Sequence, residues 1–206
     1  MAMKPRMPKK KKSMMRGGGK VRPVSDYIED LRRWTTEVLS RPSDQLRGMP
    51  PCPFAADAWE AGLVAVGLCD GLDDVTDALD FYPASRRDVF ICVLPDVEGL
   101  TSEELARYVE DKNEGLVAED MWLMAYHPDD DPNEYGLDYL DADWEPIVEE
   151  DYAMVFVQQL SKLTAASYNL EKQGYYDECP WKTYRDLVHR RTEKAIQHGK
   201  FRPDDI

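Results

Sequence analysis

Cys52, in the run Pro-Cys-Pro-Phe-Ala, and His127, in His-Pro-Asp, are the side chains in this sequence best suited to chemistry. A thiol between two prolines is rigidly presented. It becomes a nucleophile when a base within hydrogen-bond reach lowers its pKa. A neutral imidazole beside a carboxylate can act as that base or bind a metal. The catalytic candidates are therefore Cys52, His127 and Asp129, and the metal candidates are His127, Asp129 and Asp131, with a divalent cation as the implied cofactor. A plainer reading stands beside this one: His127 caps the end of a strand, while Cys52 and Phe54 plug a sheet edge.

Calcium binding by the same segment fails at two diagnostic points. Asp129, Asp131 and Asn133 fit positions 1, 3 and 5 of an EF-hand loop, but Glu134 stands where the turn needs glycine and Leu140 where a bidentate glutamate is needed. No Walker A loop, G-x-G-x-x-G, H-E-x-x-H or G-x-S-x-G occurs, which removes the commonest nucleotide, dinucleotide, zinc-protease and esterase readings. The four cysteines, Cys52, Cys69, Cys92 and Cys179, contain no C-x-x-C pair and match neither a zinc ribbon nor a disulfide framework. Cys69 and Cys92 lie in apolar runs and are expected to be small buried hydrophobes.

The candidates need elements to position them. Ser25, followed by Ile28, Leu31, Trp34 and Val38, predicts a serine-capped helix ended by Arg41-Pro42. Residues 42–53, with four prolines, must form a loop. Leu63–Cys69, Asp88–Leu94 and Glu119–Tyr126 read as buried strands, separated by helices over Asp73–Phe81 and from the Thr101/Glu104 capping box to about Asn113. Strands alternating with helices predict an α/β fold, a small mostly parallel sheet with right-handed crossovers, flanked by N-terminal and C-terminal helices. The C-terminal helices are expected over Tyr152–Gln173 and Trp181–Gln197, where Leu187, Arg191 and Ala195 mark successive turns, and Tyr175, Tyr176, Trp181 and Tyr184 form an aromatic cluster. In an open parallel sheet ligands gather at the carboxyl ends of the strands, which here are Cys69-Asp70, Pro95-Asp96 and His127-Pro128-Asp129.

Charge divides the chain unevenly. Of 206 residues, 26 are Lys or Arg and 40 are Asp or Glu, a net charge of −14. Residues 1–22 carry nine bases and no acid, so residues 23–206 hold −23. This predicts a disordered basic tail over 1–22 and a single acidic α/β domain over 23–206, with an acidic surface loop at 128–151. A cationic arm can bind nucleic acid, anionic lipid or an acidic partner by counterion release, with Lys9, Lys10, Lys11, Lys12 and Arg16 as the contacting residues; an equally weighted plain reading is a solubilising tail that folds back on its own acidic body. The body is too acidic for a nucleic-acid groove over most of its surface. No run approaches 18 apolar residues and no export signal is visible, so the expectation is no membrane span and a cytoplasmic protein with free thiols.

Several segments together resemble a bacterial family known as domain of unknown function 1415. The similar motifs are Arg33-Trp34 on the first helix, Cys52-Pro53-Phe54-Ala55, and His127-Pro128-Asp129 after the third strand, with a late stretch at Cys179-Pro180-Trp181-Lys182. The resemblance covers roughly residues 30–198. The late stretch departs from the family pattern, because Arg185 stands where a histidine is expected. The resemblance implies that Cys52 and His127 fall on motif positions; it lends no activity.

Overall fold

A computed structural model describes residues 22–44, 48–130 and 152–205. The basic candidates Lys9 to Lys12 and Arg16, together with Asp131 and most of the acidic segment, lie outside the described residues. The protein is a mixed α/β fold built on one four-stranded sheet. The strands are β1 (Val64–Leu68), β2 (Val89–Leu94), β3 (Met121–Tyr126) and β4 (Ala153–Gln159), in the order β1-β2-β4-β3.

The three expected strands form, but the mostly parallel sheet does not. β1 and β2 are the single parallel pair, and β4 lies antiparallel to both β2 and β3. A fourth strand, placed within an expected helix, causes the difference. The segment Ala153–Gln159, AMVFVQQ, carries Val155, Phe156 and Val157 at its centre, and none of its residues is exposed. It runs into the helix α5 (Leu160–Lys172) with no glycine or proline between, so the sequence offers no punctuation at the boundary. The boundary is set from outside. Asp120, in the left-handed region at φ 61°, accepts from the Ser161 amide through Oδ1 at 2.8 Å and from the Ser161 hydroxyl through Oδ2 at 2.7 Å, capping α5.

Alternation along β2 and β4 divides the core between two faces. Cys92, Leu94, Val155 and Val157 face the helices α3 (Leu72–Ser85) and α4 (Ser102–Leu116), meeting Val75, Leu79, Leu105 and Val109. Ile91, Val93 and Met154 face the opposite way and pack under Tyr27 and Leu31 of α1 (Val24–Trp34). That helix continues through a π turn over Thr35–Leu39. Pro23 rather than Ser25 occupies its N-cap position, with an extended backbone at ψ 146° and no side-chain cap, and Ser25 falls inside the first turn. A short helix α2 (Ala55–Glu60) precedes β1, and α6 (Trp181–Tyr184), a π turn over Arg185–His189 and α7 (Arg190–Gln197) close the chain.

β3 is an edge strand, and α4 covers its free edge. The buried Asn113 side chain donates from Nδ2 to the Leu123 carbonyl at 3.0 Å and accepts from the Leu123 amide at 2.7 Å, replacing one residue of a neighbouring strand. This satisfies main-chain groups that an open edge would leave unpaired.

Candidate functional site

β3 and β2 are both antiparallel to β4, so β1, β2 and β3 point the same way. Their carboxyl ends share one edge of the sheet, as the sequence predicts, although β4 stands between His127 and Asp96. A cleft of about 540 Å³ opens at the ends of β1 and β2. Asp70, Asp96, Glu98, Glu104, Asp111 and Arg107 line it, so its walls are strongly acidic. The two helix starts beside it are occupied by the protein's own side chains. Asp74 accepts from the Asp70 amide at 2.7 Å, and Thr101 and Glu104 form the expected capping box. The Thr101 N–H and hydroxyl hold the Glu104 carboxyl below its usual range.

His127 supports this edge from behind. Its side chain is 2 % exposed, Nδ1 accepts from the Asp129 amide at 3.1 Å, and Nε2 lies 3.0 Å from the Leu100 carbonyl. An acceptor at one nitrogen and a carbonyl at the other assign the neutral tautomer with its proton on Nε2. Both ring nitrogens are thus bonded to main chain, and no lone pair is left for a metal or a substrate proton. The Asp129 side chain is exposed, while Asp130 holds the turn, taking the His127 amide at 2.8 Å and the Ser102 hydroxyl. Among the described residues no group of three His, Cys, Asp or Glu side chains is placed to hold a cation.

Cys52 lies at the other end of the molecule. α1 begins beside Tyr152, whose neighbour Ala153 pairs with Leu94 at the carboxyl edge. The helix then runs to Thr35, which accepts from the indole of Trp59 at 3.0 Å, just ahead of the first residues of β1. The Cys52 amide bonds to the Leu39 carbonyl at 2.9 Å, one further turn along. Cys52 therefore belongs to the amino edge and His127 to the carboxyl edge, separated by the length of a six-residue strand, about 20 Å. The two do not assemble into a dyad. Burial pushes the Cys52 thiol up, outweighing the amides of Phe54 and Ala55 that face the sulfur. That is the opposite of the shift an activated nucleophile needs.

Cys69 and Cys92 are buried as expected, and their thiols are hydrogen-bonded to each other, which holds the Cys92 proton far above the usual thiol range. The loop around Cys52 is fixed by Tyr175, whose hydroxyl donates towards the Pro50 and Pro51 carbonyls at 3.1 and 2.7 Å. The adjacent Tyr176 hydroxyl lies within hydrogen-bond range of Ser167 and in the field of Arg191. Sequence reasoning passed over Ser167, and it took Arg191 only as a turn marker between Leu187 and Ala195. An arginine within an otherwise apolar stripe is the signal that marks it.

No family model matches the chain, and no curated protein or solved structure matches it.

Proposed function

We propose that this protein is a non-catalytic interaction protein whose basic N-terminal arm binds nucleic acid. The observation that carries the reading is the division of charge, +9 on residues 1–22 against −23 on the rest. The site geometry favours it over a thiol enzyme: the imidazole of His127 is fully engaged by main chain. The thiol of Cys52 is pushed away from ionisation and sits at the opposite sheet edge. The acidic cleft repels polyanions, so contact with phosphates falls to the arm.

Arg22 is committed to the body, where it pairs with Asp30 at 2.7 Å and lies over the Tyr27 ring. Eight arm cations remain for phosphates. If all eight engage duplex DNA, log K falls with log salt at a slope of about −7. Replacing Lys9, Lys10, Lys11, Lys12 and Arg16 by glutamine reduces that slope by about 4.5. Fluorescence anisotropy with labelled duplex DNA, from low to moderate salt, measures both slopes. No binding by the full chain at low ionic strength, or an unchanged slope in the substituted arm, rejects the reading.

A further inference from the structure

Residues 181–202 reverse the charge of the body that carries them. Seven Lys or Arg against two acids give +5, in a body of −23. All of the seven but Arg191 reach solvent. The segment runs through α6, the π turn and α7. Its first turn stands at the amino edge of the sheet, where the Tyr184 ring meets Tyr176 at 5.6 Å and the adjacent Tyr175 holds the loop before Cys52. The acidic cleft opens at the opposite, carboxyl edge.

Trp181 opens this segment and is 62 % exposed. Tyr184 braces the indole at 5.8 Å with the rings tilted by 34°, and His189 meets it at 5.5 Å. These rings steady the indole without covering it. Lys182 and Arg185 are exposed beside it, Arg185 one turn further along the helix. Arg185 pairs with its neighbour Asp186 at 2.9 Å, and Arg190 with Glu110 of α4 at 2.8 Å. Exposed ion pairs contribute little, so a phosphate takes the place of either carboxylate at little cost. An open aromatic face among exposed cations suits an unpaired base: the ring stacks on any base while the cations take the flanking phosphates. A duplex keeps its base faces stacked inside and offers the indole none.

We propose that Trp181, flanked by Lys182 and Arg185, is a stacking site for an unpaired base of single-stranded nucleic acid. The inference rests on the reading of the arm as a nucleic-acid binder and adds selectivity to it: the arm holds phosphates of either form, and Trp181 favours single strands. The arm leaves the body at Arg22, and its 21 preceding residues can span up to about 70 Å. That exceeds the distance of about 20 Å between the two sheet edges, so one strand can meet both.

Fluorescence anisotropy of the full chain tests this, with a labelled oligothymidylate and with its duplex on oligoadenylate, at equal length and ionic strength. Trp181→Ala is expected to weaken single-strand binding by about five- to a hundredfold, the loss of one stacked base. Duplex binding by the same variant stays unchanged. Trp181→Phe keeps a ring and recovers most of the single-strand affinity. Replacing Lys182 and Arg185 together by glutamine lowers the single-strand salt slope by about 1.4. An unchanged single-strand affinity in Trp181→Ala, an equal loss on duplex, or a phenylalanine variant no better than alanine overturns the proposal. The arm fails separately: an unchanged salt slope after its five substitutions to glutamine rejects the arm, whereas the response to Trp181→Ala decides the stacking site. No single-strand binding by the wild type at low salt rejects both.

Discussion

Replacing His127 by alanine separates a supporting imidazole from a catalytic one. The ring makes two hydrogen bonds to main chain, at 3.0 Å to the Leu100 carbonyl and 3.1 Å from the Asp129 amide. Both partners belong to residues that are not fully buried, so water replaces part of what is lost. Each bond is then worth about 1 kcal/mol rather than the full penalty of an orphaned group. Removing the ring, itself 2 % exposed, also leaves a void beneath the Gly99–Leu100 turn, which adds about 1–2 kcal/mol. The sum is about 3 kcal/mol, and for a domain of this size it lowers Tm by about 6–12 °C. Urea unfolding followed by tryptophan fluorescence gives the free energy, and the slope against urea should stay unchanged because variant and wild type expose nearly the same surface on unfolding. Binding of DNA at 20 °C should be the same in His127→Ala as in wild type. A change in stability below about 0.5 kcal/mol would refute the structural account. So would a DNA-binding loss with no loss of stability.

Two further outcomes follow from buried polar groups. Asn113→Ala leaves both Leu123 main-chain groups facing apolar surroundings, a destabilisation of about 2–4 kcal/mol by chemical denaturation. Asn113→Asp keeps the acceptor for the amide but sets a carboxylate against the Leu123 carbonyl, so its deficit should shrink as pH falls and the acid gains a proton to donate; a deficit independent of pH argues against this pairing. Alkali should also unfold the protein. Burial pushes the Tyr82 phenol up to about 12, and the phenols of Tyr108, Tyr152 and Tyr176 upward as well. The folded state then holds protons that the unfolded state releases near pH 10, so stability present below pH 10 is lost as pH rises towards 12. Arg191, depressed by burial, acts in the opposite direction over the same range but is a single group. Urea midpoints at pH 8, 10 and 11 should fall in that order; equal midpoints would contradict the burial of these phenols.

Much of the fold was legible because local signals and tertiary demands coincide there. Thr101 and Glu104 announce a capping box and form one, and DVFICVL is apolar on both faces because β2 is covered on both. Where they part, the reading failed. Tyr152 to Gln159 carries the composition of a strand, yet the helical sequence that follows without a break extends the helix backwards over it. The information that ends the strand is Asp120, some forty residues earlier in the chain, and only the folded sheet brings it to α5. Sheet order has the same origin. Inserting β4 between β2 and β3 is decided by which apolar face finds a partner, and no residue near β2 encodes it.

The candidate site shows why a chemically capable residue is weak evidence by type alone. His127 at a strand end and Cys52 between prolines meet every local requirement for a thiol–imidazole pair. Each instead satisfies its own neighbourhood: His127 closes the turn at Leu100, and Cys52 extends from the end of the α1 helix. Arg191 reverses the case. Its position in an apolar stripe makes it look like helix packing, and the physical anomaly emerges only when its partners are counted. A buried charge without a counter-ion among the described residues carries an energetic penalty that an apolar side chain would not. The same reasoning separates the acidic cleft from the arginine: exposed carboxylates are hydrated and need no partner, but a guanidinium removed from water does.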